Sequence, residues 1–202
     1  MIIEKTQLTA EPVTDRQTEN PVNALFVNRW SPRALSDEKI SHAELMKLFE
    51  AARWAPSSYN NQPWRFIFGL RDTLAWNVLY KLLNDHNQSW AKQAAALVLI
   101  VSKRTFDNGM LSQTHSFDAG SAWMSMVLQG SMDGWIIHGI EGFDYAKARI
   151  ALNIPDEYAV EAMAAIGRPG HKEDLPPPLQ TKEFPSDRKR LSDIIFEGAF
   201  RA

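Results

Sequence analysis

Two arginines flank a serine in Arg29-Trp30-Ser31-Pro32-Arg33. In an extended stretch alternate residues point the same way, so Arg29, Ser31 and Arg33 would present two guanidinium forks and a hydroxyl together. That set suits a phosphate, whose oxygens match the planar forks. A solvated basic loop is the plainer account of the same residues. A second polar stretch, Pro56-Ser57-Ser58-Tyr59-Asn60-Asn61-Gln62-Pro63-Trp64, is stiffened by proline at each end. Its short side chains expose backbone donors and acceptors, as a rim around a flat polar ligand would. An ordinary helix-to-strand connection has a similar composition. The third stretch is Gly139-Ile140-Glu141-Gly142-Phe143-Asp144. Glycine there permits close backbone approach to a ligand, and it equally suits a turn leading into a helix capped by Asp144.

Other chemistries are excluded by what is missing. The chain of 202 residues has no cysteine, so disulfides, thiolate metal sites and cysteine nucleophiles are out. The five histidines, His42, His86, His115, His138 and His171, show no metal-site spacing and read as surface or loop residues. No phosphate-binding P-loop, dinucleotide fingerprint or nucleophile elbow occurs. A net charge of −2 gives no basic excess for nucleic acid or an anionic membrane. The longest apolar run, Ala94 to Val101, falls well short of the roughly 20 residues a spanning helix needs. Met1 to Lys5 lacks the pattern of a secretory leader. A cytoplasmic protein with neither membrane nor nucleic-acid partner is expected.

The elements that must position these stretches follow from periodicity. A polar arm is expected over 1–20 and a single domain over 21–202. Pro21 is expected to open a short helix through Val27. Ser41 and Glu44 have capping-box spacing, and Leu45, Leu48, Phe49 and Ala52 share one helical face behind them. Strands are expected at 64–70, 96–102, 135–138 and 160–166, and helices at 73–84, 87–93, 113–132 and 145–153. In the longest helix Phe117, Met124 and Leu128 share a face. The small residues Ala119, Gly120, Ser121 and Ala122 would let another helix approach. Five of the eleven prolines fall between Pro169 and Pro185, which suggests an extended tail. Helices and strands do not alternate as regular βαβ units, so the fold class is α+β.

The sequence resembles the FMN-dependent nitroreductase family. The Arg29–Arg33 stretch resembles its R-x-S-x-R/K element, and Ala55 to Trp64 resembles its A-P-S-x-x-N-x-Q-P-W loop. Asp118-Ala119-Gly120-Ser121-Ala122 with Gly134, Ile140 to Asp144, Ile154-Pro155 and Ile166 to Pro169 follow in the family's order. The resemblance covers roughly 21–200. It implies a mixed, mostly antiparallel central sheet flanked by helices, in an intertwined homodimer whose C-terminal extension crosses the partner. FMN is the implied cofactor, with NADH or NADPH as electron donor and a flat small-molecule acceptor such as a nitroaromatic or quinone. Arg29, Ser31 and Arg188 correspond to phosphate-holding positions, and Arg33 to the cation beside the flavin pyrimidine. Pro56, Ser57, Ser58 and Asn60 correspond to a loop reaching the flavin of the other subunit. Glu141 and Gly142 correspond to a turn whose amides face the flavin. Asn87 matches an asparagine near the pyrimidine in some members, but Trp90 stands where those members carry lysine. Ser186 takes the place of a second basic residue before Arg188, for which Lys189 or Arg190 would compensate. No side-chain acid or base is implied, because the flavin carries the chemistry. The same scaffold serves other reductions, such as enone reduction or dehalogenation, and non-catalytic FMN carriage.

Overall fold

The computed structural model describes residues 14–201. The first thirteen residues of the expected arm, with the leader question posed at Met1 to Lys5, lie outside the described residues. The rest forms two compact units: Ser31–Glu183, and the flanking segments 14–30 and 184–201.

The larger unit is built on four strands, β1 (Trp64–Leu70), β2 (Ala96–Lys103), β3 (Ile136–Ile140) and β4 (Tyr158–Gly167), in the order β1-β2-β4-β3. All three pairings are antiparallel. The fold is α+β as expected. β2 is apolar without alternation because both its faces are covered. Leu97, Leu99 and Val101 enter one core, Ala96, Val98 and Ile100 the other. The second core is closed by α2 (His42–Arg53) and α5 (His115–Met132), packed through Leu45, Leu48, Ala52, Ala119, Ala122 and Met126. The first is closed by α3 (Leu74–Tyr80), α4 (Asp85–Ala91), α6 (Tyr145–Ala151) and α7 (Pro177–Gln180).

Local chemistry accounts for the helix ends. Ser41 Oγ accepts from Glu44 N at 3.2 Å and the Glu44 carboxylate accepts from Ser41 N at 3.0 Å, the reciprocal box expected. Asp144 caps α6 by accepting from Lys147 N at 2.8 Å. The helix expected over 73–84 stops at Tyr80. Leu82 and Leu83 turn back onto Leu79 and Tyr80, and Asn84 restarts the chain by capping α4. In the smaller unit, α1 (Ala24–Asn28) starts after Asn23, not at Pro21, because the Asn23 side chain accepts from Leu25 N at 2.9 Å. Gly139 and Ile140 extend β3 rather than forming a turn. The proline-rich segment is not extended throughout: Pro177 opens the four-residue α7, where a missing N–H costs nothing. On α5 the buried face carries Ala119, Ala122, Met126 and Val127, whereas Phe117 is 77% exposed.

Among the described residues no helix is long and apolar enough to cross a membrane. None of their histidines and carboxylates cluster in a way that could hold a metal ion.

Candidate functional site

The predicted residues other than Ser31 and Glu141 fall into three groups. The first belongs to the smaller unit. Arg29 ends α1, donating its N–H to Leu25 O at 3.1 Å, and its side chain is half-buried. Burial lowers its pKa first, and the charges of Arg188 and Arg16 lower it further. Arg16 is lowered likewise by burial and by Arg188, with Asp187 acting in the opposite sense. Arg188 is tethered at its own backbone: Nη1 donates to Ser186 O at 3.1 Å and Asp187 O at 2.9 Å. Arg29 and Arg188 are 159 positions apart by number and share one electrostatic neighbourhood.

The second group lies in the larger unit. Glu183 Oε1 accepts from Arg33 N at 2.7 Å and Ala34 N at 2.8 Å, which fixes the backbone under the Arg33 side chain. His138, on β3, lies with Nδ1 2.9 Å from Pro32 O. A carbonyl can only accept, so that nitrogen carries the ring proton. The His138 ring stands 4.5 Å from the Trp90 ring, and Trp90 Nε1 donates to Asn87 Oδ1 at 3.0 Å. Asn87 Nδ2 in turn donates to Gly142 O at 3.0 Å, which also accepts from Asn84 N at 3.1 Å. Pro32, His138, Trp90, Asn87 and Gly142 therefore form one continuous chain of contacts. Gly142 is required by space: a Cβ there would sit 2.5 Å from both Asn84 Nδ2 and Asn87 Nδ2. Beside this chain a cavity of about 490 Å³ is lined by Arg33, Ser89, Trp90, Lys92, His171 and Asp174, among others. It carries charges of both signs.

The third group is the Pro56–Gln62 loop. Tyr59, Asn60 and Gln62 have φ of 51°, 55° and 48°. Asparagine tolerates the left-handed region, but tyrosine and glutamine there cost about 1–2 kcal/mol each. The loop persists because it is pinned. Ser58 N donates to Asp118 Oδ2 at 3.1 Å, Thr114 Oγ1 donates to the same oxygen at 3.2 Å, and Ser57 Oγ accepts from Gln62 N at 3.0 Å. Asp118 is itself buried at the start of α5. Tyr59 is left 94% exposed at the crest. Among the described residues no hydrogen bond joins this loop to the Arg33–Asn87–Gly142 group.

Two histidines are not the surface residues expected. His138 is part of the chain above. His115 packs at the mouth of α5, its Nδ1 2.7 Å from Ser102 Oγ, and Ser116 Oγ donates to Glu161 Oε1 at 2.7 Å. This is not a nucleophilic triad, because the serine and Glu161 approach the same ring nitrogen, leaving no relay through the ring. Glu183 and Arg16 were not predicted, and Asp118 was noted only within the stretch matched to the family's central helix, with no role assigned. A carboxylate that serves backbone N–H groups far away in sequence has no local signature, and Arg16 falls in a polar stretch with no periodicity.

The sequence profile of the nitroreductase family matches residues 27–71. The structure superposes on a crystal structure described as an oxidoreductase containing FMN, with a TM-score of 0.90 and 41% identity over 96% of this chain and 98% of that one. It also resembles a nitroreductase-type protein from Desulfovibrio desulfuricans solved in complex with FMN, at TM-score 0.69 and 25% identity, covering 91% of this chain and all of that one. A protein of Archaeoglobus fulgidus named for NADH dehydrogenase or NAD(P)H nitroreductase activity is 26% identical, over 75% of this chain and 87% of its own length. The chain belongs to the nitroreductase family.

Proposed function

We propose that the protein is an FMN-dependent oxidoreductase that passes two electrons from NADH or NADPH to a flat acceptor such as a nitroaromatic or quinone. The observation that carries this is the convergence of Arg29 and Arg188, remote in sequence, on one charged neighbourhood. Like charges gathered in a partly buried place are stabilised by an anion, and the phosphate of FMN is a dianion suited to them. The residues present fit FMN on a second count. The Gly142 turn has no room for a side chain and is held by Asn84 and Asn87, so what it would offer a flat ring is backbone.

When bound, FMN supplies reversible two-electron transfer between the nicotinamide donor and the acceptor. The chain's own residues bind and bias. Arg29, Ser31 and Arg188 hold the phosphate. Arg33 contributes a guanidinium cation that favours the negatively charged, reduced form of the ring. Asn87 and Trp90 fix the turn carrying Glu141 and Gly142. Pro56, Ser57, Ser58 and Asn60 form a rigid rim, supplied from the partner in a homodimer. Exposed Trp54, Tyr59 and Phe117 support such pairing, as do Ile194, Ile195 and Phe200 in the tail. We place the enzyme in the cytoplasm, with its nicotinamide donors.

The test is anaerobic. Protein loaded with FMN should lose its flavin absorption on addition of NADH or NADPH and regain it with a quinone or nitroaromatic. Absorption untouched by either nucleotide would refute the oxidoreductase assignment and favour a flavin carrier.

A further inference from the structure

Arg16 lies outside every motif in the sequence, in the segment that precedes α1. Its guanidinium nevertheless makes two long-range contacts. Nη1 donates to Val27 O at 2.9 Å and to Arg29 O at 3.0 Å. Those are carbonyls of the last turn of α1 and of the residue that ends it, so Arg16 clamps the backbone from which the Arg29 side chain departs. Its Nε is buried and has no hydrogen-bond partner among the described residues. A buried donor left unmade is costly, which marks a place where an acceptor belongs.

The same segment is tied down a second time. Glu19 accepts from Leu191 N at 2.9 Å, just beyond Arg188. The stretch leading into α1 is thereby joined to the C-terminal segment that carries the other predicted phosphate ligand. Arg16 also feels the charge of Arg188, as Arg29 does. Asp187 offsets part of the repulsion among these three arginines, and a multiply charged anion would relieve the rest.

We propose that Arg16 is a third arginine of the phosphate subsite, positioning Arg29 through its backbone and adding positive charge for a phosphomonoester. The assignment rests on the FMN reading above. It gives the segment before α1 a role: phosphate affinity depends on residues outside the region that the family profile matches.

The experiment compares FMN with riboflavin, which has the same ring and no phosphate, as ligands of the full-length apoprotein. Wild-type protein should bind FMN far more tightly than riboflavin. Arg16→Ala should weaken FMN roughly tenfold or more, the effect of losing a charge-assisted contact. Riboflavin affinity should change less than about twofold, because only the phosphate contact is lost. Arg16→Lys, which keeps the charge but not the fork, should recover part of the loss, and raised salt should narrow the gap between wild type and Arg16→Ala. Equal weakening of FMN and riboflavin, or unchanged FMN affinity in a folded Arg16→Ala protein, overturns the proposal while leaving the FMN reading intact. Wild-type protein that binds FMN no better than riboflavin overturns the phosphate reading itself, and this inference with it.

Discussion

Glu183 Oε1 accepts the backbone N–H of Arg33 at 2.7 Å, across 150 positions of sequence, and takes the next N–H, that of Ala34, at 2.8 Å. One buried carboxylate oxygen thus satisfies two consecutive donors beneath the residue proposed to bias the flavin. Glu183→Ala would orphan both. The expected destabilisation is about 2–6 kcal/mol, at about 1–3 kcal/mol per buried unsatisfied group. Glu183→Gln keeps an acceptor and should recover most of it. Urea unfolding of the two variants checks the contrast, and equal losses would show that geometry at Arg33 does not depend on this oxygen.

Arg33→Gln should leave the fold intact and make bound flavin harder to reduce. Removing a fixed cation withdraws stabilisation from the reduced, more negative form. A reductive titration measures the midpoint potential, which should fall. A potential that does not move would reject the electrostatic role of Arg33.

Gly142→Ala should disrupt the turn. The new methyl would meet Asn84 Nδ2 and Asn87 Nδ2 at 2.5 Å, so both side chains must shift and the Asn87 amide must leave the Gly142 carbonyl. A loss of about 1–3 kcal/mol is expected from overpacking alone, with weaker flavin retention on gel filtration. Normal stability and retention would show that the turn has slack the structure does not suggest.

Asp118→Ala should release the Ser57–Gln62 loop. Its left-handed Tyr59 and Gln62 are held against their own preference by the Asp118 contacts and by Ser57. Amide hydrogen exchange over 57–62 should rise sharply while exchange in β2 stays low. Protection retained throughout the loop would contradict this account.

Acid should act on the joint between α2 and α5. Burial alone would raise the Asp133 carboxyl, but bonds from Lys47 at 2.8 Å and Gln129 at 2.9 Å hold it below the ordinary carboxylate range. A depressed folded-state pKa stabilises above the unfolded value, and that contribution is lost as pH falls through the folded one. Asp133→Asn should therefore cost about 0.5–1 kcal/mol at neutral pH, with the difference from wild type vanishing in strong acid. Denaturant melts at several pH values would reveal it, and a constant difference would count against the linkage.

Much of this fold was readable from residue order. Alternation marked β1, an unbroken apolar run marked β2 as covered on both faces, and Ser41 with Glu44 marked the start of α2. These signals are local, so they survive without knowledge of the tertiary structure. Two helices were readable here, but the early end of the first at Tyr80 was not, because the turn after it depends on Leu83 bridging to Phe143, a partner sixty positions away. The site divides the same way. Arg29, Ser31 and Arg33 stood out by spacing, and the loop by its prolines. The supporting roles of Asp118, Glu183 and Arg16 did not, because these residues act on backbone groups distant in sequence. The departure at Trp90 acquires a physical account in the fold. It is buried, and its indole N–H occupies Asn87 Oδ1, so Asn87 is committed to holding Gly142.

The central claim is that this chain binds FMN through its phosphate and ring together. Titrating apoprotein with FMN and following the quenching of flavin fluorescence tests it most directly. The account predicts saturable, stoichiometric binding, tighter for FMN than for riboflavin. Absence of binding by well-folded apoprotein at high FMN concentration would contradict it.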